Sequence, residues 1–415
     1  MYVTKKKLLV IAASIACALP FAAQAQEASN VQVYGKLYPE ITSYSVSDGT
    51  SAGTPVSTLV KNSKAGAATT LTSMDSSNTY IGFRGSEDLG GGLRAIWQLE
   101  GGFGIDDGTL PKAGVLFSRD TFVGLSGNFG TLKLGGNMDT VYKKLYDQIG
   151  FFGLSSGNFN SASNILSQGG FGSSSAERFH ERPANTILYQ SPQVNGFTGL
   201  FGYSLGEVAG NVSSHSNTSA GVKYEAGAVY LALAHEEHIG LFGGSSNLTA
   251  LPGLSNLSAS GTPLAGTNSH DQSTRLTAKY NLPTDTRVEV DVATTKLSES
   301  GGQAGHFQSY QHNSWLLSAD QKLGAWTLAG SYGGSAAGSC ELVGGAACNT
   351  GGLDAKMLSL GVSYSLSKRT MLFAFYSKLN NGYSANIDNA SSIAASSVTA
   401  GQSIREAAMG LSHTF

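Results

Sequence analysis

Four basic side chains, Lys36, Arg84, Arg94 and Lys133, stand in stretches where polar and apolar residues take turns. In Val31-Gln32-Val33-Tyr34-Gly35-Lys36-Leu37 one face reads Val, Val, Gly, Leu and the other Gln, Tyr, Lys. Tyr80 to Arg84 sets Ile81 and Phe83 against Tyr80 and Arg84. Leu93 to Glu100 sets Leu93, Ala95, Trp97 and Leu99 against Arg94, Ile96, Gln98 and Glu100, and Leu132 and Leu134 oppose Thr131, Lys133 and Asn137. This period of two belongs to half-buried strands. Fixed cations on the polar face of a sheet break no bonds. They draw anions to a wet surface and turn cations away.

Residue patterns for bond-making chemistry are poor. His235-Glu236-Glu237-His238 has the wrong spacing for a zinc helix and follows the strand-like Val229-Tyr230-Leu231-Ala232-Leu233, so polar residues at a strand end account for it better. There is no nucleophile elbow and no phosphate-binding loop; Gly90-Gly91-Gly92 is a hairpin turn with no helix after it. Asp106-Asp107 lacks the acidic spacing of a calcium loop. A Ser–His–Asp site assembled from distant strands stays open on sequence alone. Cys340 and Cys348, in SCELVGGAAC, read as a local disulfide across a surface loop, and no neighbouring ligands suggest a metal there.

The chain begins with a targeting pattern: Lys5, Lys6 and Lys7, an apolar run from Leu8 to Phe21, and Ala23-Gln24-Ala25 at the cleavage positions. The expectation is a cleaved export signal over residues 1–25 and a single domain over 26–415. Removing three of 26 basic residues and none of the 28 acidic ones leaves 23 − 28 = −5, against a nucleic-acid partner. After the signal no apolar run is long enough for a transmembrane helix. Strands that alternate between lipid and water escape that test.

Short turn-forming stretches occur near 89–92, 128–130, 193–196, 226–227, 283–285, 323–325 and 367–370. Between them lie longer polar stretches near 46–78, 103–116, 141–183, 207–216, 237–271, 298–311, 333–353 and 380–402. The rhythm predicts an all-β, antiparallel transmembrane barrel of about 16 strands, with short periplasmic turns and long outer loops. Arg287-Val288-Glu289-Val290-Asp291-Val292 is its sharpest strand. The chain ends with Met409, Leu411, His413 and Phe415 on one face, as expected if this strand closes the barrel against the one near Val31. One long stretch, 141–183, has no clean period and carries no charge between Gln148 and Ala176. A segment this long and irregular inside a compact protein suggests a functional loop.

The segments GFRGSEDLGGGLRAIWQLE, SRDTFVGLSGNFGTLKLGG, NTILYQSPQVNGFTGLFGYSLGE and GLSHTF, in order along the mature chain, resemble the trimeric general porins of β-proteobacterial outer membranes. The resemblance implies a sixteen-stranded barrel, a homotrimer in lipid and lipopolysaccharide, and no cofactor. It also implies that the third long loop, 141–183, folds into the lumen, and that Phe415 is the signal read by the outer-membrane assembly machinery.

It further implies an eyelet with a basic wall facing an acidic loop. Lys36, Arg84 and Arg119 match the wall by motif position, and alternation adds Arg94 and Lys133 to the lumen side. Arg119 shares the parity of Val123 and Leu125, so it requires a bulge or a place above the lipid. Arg178 and Arg182 flank the loop's exit. The loop side would carry Asp147 with Phe151, Phe152 and Phe159, and acids are few: Asp139, Asp147, Glu177 and Glu181. The bland alternative pairs the bases with Glu100, Asp120 or Glu289.

The function expected is passive diffusion of small hydrophilic solutes and ions, with an anion preference and no enzymatic step. The alternatives are a channel selective for phosphate or an organic anion, an outer-membrane enzyme, and a surface adhesin or phage receptor carried by the long loops.

Overall fold

The computed structural model describes residues 30–61, 66–76, 79–150, 162–172, 179–207, 215–388 and 398–415. The expected export signal and Phe151, Phe152, Phe159, Glu177 and Arg178 lie outside the described residues.

Sixteen antiparallel strands follow one another around one sheet. They are β1 (Asn30–Leu37 continued by Glu40–Val46), β2 (Thr69–Asp75 continued by Tyr80–Gly90), β3 (Leu93–Gly102), β4 (Thr121–Gly127), β5 (Gly130–Gly136), β6 (Thr186–Gln190), β7 (Phe197–Ser204) and β8 (Ser216–Ala226). The second half comprises β9 (Val229–Ile239), β10 (Asn268–Asn281), β11 (Thr286–Ser300), β12 (Phe307–Leu323), β13 (Trp326–Ser335 continued by Ser339–Leu342), β14 (Ala355–Ser365), β15 (Thr370–Asn381) and β16 (Ile404–Thr414).

The sheet closes on itself. β16 pairs with β1 from Ile404↔Val46 to Lys36↔Thr414, in one register across the break at Pro39. Pro39 has no N–H to give, but its carbonyl accepts from Leu411 N at 3.1 Å. Beyond the last strand residue, Gly35 and Phe415 exchange both backbone hydrogen bonds, at 3.2 and 3.1 Å. A Cβ on Gly35 would sit 2.6 Å from the Phe415 ring, so only glycine lets the terminal aromatic lie over β1.

Between β1 and β2 the register carries one extra residue. Lys36 faces Tyr80 and Glu40 faces Asp75, a step of four on one strand and five on the other. This bulge reverses parity on β2, so Asp75 and Arg84, of opposite parity in sequence, both point inward.

The outward face is apolar and the inward face polar, which suits a barrel in lipid around water. On β11, Val288, Val290 and Val292 are exposed while Glu289 and Asp291 are buried. Aromatics gather on the outside near the short turns, where Phe197 meets Tyr224 and Trp326 meets Tyr364. Another pair, Trp315 and Tyr332, lies farther from the turns. Trp315 is eight residues from Leu323 at the turn end of β12, roughly 26 Å along the strand.

Three expected loops are shorter than the sequence suggested, 333–353 among them because β13 continues through Ser339–Leu342. The stretch 46–78 contains the strand segment Thr69–Asp75, whose Thr and Ser residues gave little apolar alternation, and 298–311 shrinks to residues 301–306 because β11 and β12 run on above the lipid. The hydrophobic core lies inside the barrel. Val141, Tyr142, Leu145, Phe171 and Phe179 of the third long loop pack there with Leu59 and Leu353 of outer loops.

Candidate functional site

The third long loop joins β5 to β6 and leaves the wall at Asn137. Thr140 caps the short helix α1 (Val141–Lys144) by accepting Lys143 N, and the helix lies on β8 and β9. Several polar groups that follow find partners on the lumen wall. Tyr142 N donates to Ser219 Oγ at 2.8 Å, the Tyr142 hydroxyl meets Ser273 Oγ at 2.6 Å, and the Tyr230 hydroxyl donates to Leu145 O at 2.9 Å. The Glu289 carboxylate on β11 accepts the backbone N–H groups of Gln148 and Ile149 at 2.7 and 2.8 Å. Arg275 on β10 lies against the rings of Tyr142 and Tyr146, 4.0 and 3.8 Å from their centroids, and donates to Leu166 O. The second loop helix, α2 (Ala162–Leu166), rests on β12, β13 and β14. From within it and just beyond it, Asn164 and Gln168 donate to Asp388 O of the last outer loop. Phe179 stacks on His238 of β9 at 4.3 Å.

The loop is thus fastened along β8 to β14. In a ring of sixteen, the strand across from β11 is β3, and this is where the basic wall lies. The Tyr34 hydroxyl donates to Glu100 at 2.8 Å, and the Arg119 guanidinium pairs with the same carboxylate while stacking on Tyr80 at 4.5 Å. Arg84 lies over the Tyr34 ring at 4.6 Å and donates to Gln32 at 2.9 Å. Lys36 reaches over the Tyr38 ring at 5.0 Å. The aromatic faces hold these cations in place along the wall. Gly82 makes the arrangement possible, since a Cβ there would meet Tyr34 at 2.5 Å.

The expected site residues do not all come together. Lys36, Arg84 and Arg119 form one cluster. Arg119 precedes β4 and donates its backbone N–H to Glu100 O at 3.1 Å, so it sits above the ladder, which answers its awkward parity. Lys133 points inward beside them, its ammonium 4.1 Å over the Phe122 ring. Arg94 points inward too, but it pairs across from Asp88 beside the Gly90–Gly92 turn, and Arg84 pairs with Gln98 four residues away. That is roughly 13 Å toward the turn side. Arg182 is held by Asp139 at 2.8 Å, and Lys143 binds the same carboxylate at 3.1 Å. These two cations hold the Asp139 carboxyl well below the usual range. Asp147 does not face the basic wall. It lies on the fastened side of the loop near Asp291, and burial and that second carboxylate push it up to about 7. Gln148 and Ile149 need an acceptor, Glu289 supplies it, and Asp147 is carried to the wall with them.

Lys143 and Lys144 join the basic group unannounced by the strand pattern, with Lys144 3.8 Å from Asp120. Their only sequence signal was adjacency to the loop's start. Arg275 and Glu289, which fasten the loop, are legible as inward residues of alternating strands, but nothing local says what they hold. Glu100 and Asp120 do pair with bases, whereas Glu289 serves the loop. His235 and Glu237 face outward and Glu236 and His238 inward, so the four cannot share an ion. Cys340 and Cys348 form a disulfide with Cα atoms 5.7 Å apart.

The family model for Gram-negative porins matches residues 12–384. The chain belongs to the Gram-negative porin family. This porin is 29% identical over 347 residues to the outer membrane porin protein 32 of Delftia acidovorans, covering 82% of this chain and 85% of that protein. It is 30% identical over 204 residues to the major outer membrane protein P.IA of Neisseria meningitidis, a match covering 47% of this porin and 45% of that protein. An anion-selective porin from Comamonas acidovorans shares its fold, with a TM-score of 0.67 at 22% identity over 94% of this porin and all of that chain. The porin is a protein of the bacterial outer membrane.

Proposed function

We propose that this porin forms a water-filled channel for passive diffusion of small hydrophilic solutes and ions, with a preference for anions and no catalytic cycle. The observation that carries the reading is the division of the lumen. The third loop is fastened to β8–β14, and the wall across from it presents Lys36, Arg84, Arg119 and Lys133. Lys143, Lys144 and Arg182 stand at the loop's root, against Glu40, Glu100, Asp120 and Asp139. A passage with more cations than carboxylates at its narrowest part passes anions more readily. The relative likeness in fold to a porin named as anion-selective agrees with this direction, which rests here on the residues themselves.

The assembly proposed is a homotrimer in outer-membrane lipid and lipopolysaccharide, exported by a leader that is removed. Phe415, locked to Gly35, is proposed as the end the assembly machinery reads. Single-channel recording in a planar bilayer under a KCl gradient tests the function: steps in threes with an anion-selective reversal potential are expected. Cation selectivity would overturn the role of the basic wall. Correctly folded protein without conductance would overturn the channel.

A further inference from the structure

The wall that fastens the loop changes sign along its length. On β10 the inward residues run Asp271, Arg275, Lys279 from the outer end to the turn end, and on β11 they run Glu299, Asp291, Glu289, Arg287. The acids of the outer half are engaged with loop groups. Asp271 accepts Gly243 N, Glu299 accepts Ser245 N and Asn256 Nδ2, and Glu289 holds the third loop. The bases below the fastening have no such task. A cavity of about 420 Å³ opens there, lined by Lys279, Asn281, Arg287, Asp320, Lys322 and Thr327 and also by Asp285 of the short turn, so its two lysines outweigh one carboxylate outside the Arg287–Asp320 pair. Arg287 is taken by Asp320, with Nε to Oδ1 at 2.9 Å, so that pair is neutral. Lys279 rests its ammonium 5.3 Å over the Tyr230 ring, and among the described residues neither Lys279 nor Lys322 has a carboxylate within salt-bridge reach. Glu289 faces Lys279 across the ladder, but its oxygens are turned to the loop amides.

We propose that this turn-side pocket is a second anion site, occupied by a small oxyanion of the phosphate class after it has passed the constriction. The inference rests on the channel reading. Two ammonium groups, each a point charge with three rotatable donors, fit an anion with several oxygens and more than one charge better than a halide. The Asn281 amide and the Thr327 hydroxyl add neutral donors on the same face. Arg287, already forked onto Asp320, shapes the pocket without supplying charge. The site lies below the loop, roughly 7 Å past Glu289 and 13 Å past Arg275 along the strands, so an anion arriving from the short-turn side reaches it before meeting the constriction.

The test is chloride current through the full-length porin in a planar bilayer, with inorganic phosphate added to one side at a time. Phosphate from the short-turn side is expected to reduce the current at lower concentration than phosphate from the loop side. In K279Q/K322Q the half-blocking concentration should rise about tenfold and the side preference should vanish, because two charged hydrogen-bond donors are gone. K322Q alone, at an exposed strand end that tolerates change, should lie between. Equal block from both sides in the wild type, or an unchanged half-blocking concentration in both variants that still conduct, overturns the pocket while leaving the channel intact. Absence of any conductance in folded wild type overturns the channel reading itself.

Discussion

Glu289 accepts the backbone N–H of Gln148 at 2.7 Å, so a strand carboxylate on the lumen wall does the work of a turn within the loop. Its other oxygen takes Ile149 N. Removing it leaves two amides without partners, at about 1–3 kcal/mol each. E289A should give a larger and noisier single-channel conductance, whereas E289Q, which keeps one acceptor, should give a smaller change. Conductance in E289A equal to wild type would mean that Arg275 and Tyr230 suffice to hold the loop.

Asp147 makes the fastening sensitive to pH. With the loop in place its carboxyl titrates near 7, and in a released loop it would titrate near the usual 3.8. The seated loop therefore binds more protons between those values, and seating is strongest at low pH. It weakens by about 1.4 kcal/mol per pH unit as pH rises through that window and then levels off above 7. Channel noise measured from pH 4 to 8 should rise and then plateau. D147N should flatten the curve; an unaltered curve would assign the pH response elsewhere.

Arg84 and Arg94 separate two kinds of basic residue. R84Q removes a charge held over Tyr34 within the wall cluster and should move the reversal potential toward cations. R94Q, beside a short turn, should move it much less. A larger effect from R94Q would place the selective region at the turn-side mouth.

The disulfide should matter outside and not within. Cys340 and Cys348 pack against the core cluster that contains Leu59 and Leu353, where outer loops meet. Opening so short a loop removes about 2–3 kcal/mol of constraint. C340S/C348S should be cut faster by protease near residues 343–353 while its conductance stays the same. Altered conductance would show that the outer loops gate the pore.

The alternation of β1, β3 and β11, the turn chemistry and the terminal Phe415 made the barrel readable from sequence, because each is a local pattern. Thr69–Asp75 escaped because its side chains offer no contrast between faces. The candidate site was half legible. Period two shows that Lys36 and Arg84 face water, but it cannot show which wall the loop lies on. That choice depends on Glu289 and Arg275, more than a hundred residues beyond the amides and rings they hold. Asp147 went to the opposite side from the one its charge suggested for the same reason.

The bond pair between Gly35 and Phe415 also bears on how the barrel comes to exist. The two residues are 415 − 35 = 380 positions apart in the chain. Bringing ends that distant together costs about 5 kcal/mol of chain entropy before any ladder bond repays it. Such high contact order predicts slow folding. Until the ends meet, the unpaired edges of β1 and β16 would be open to other chains, so this pair belongs to the late steps of barrel closure.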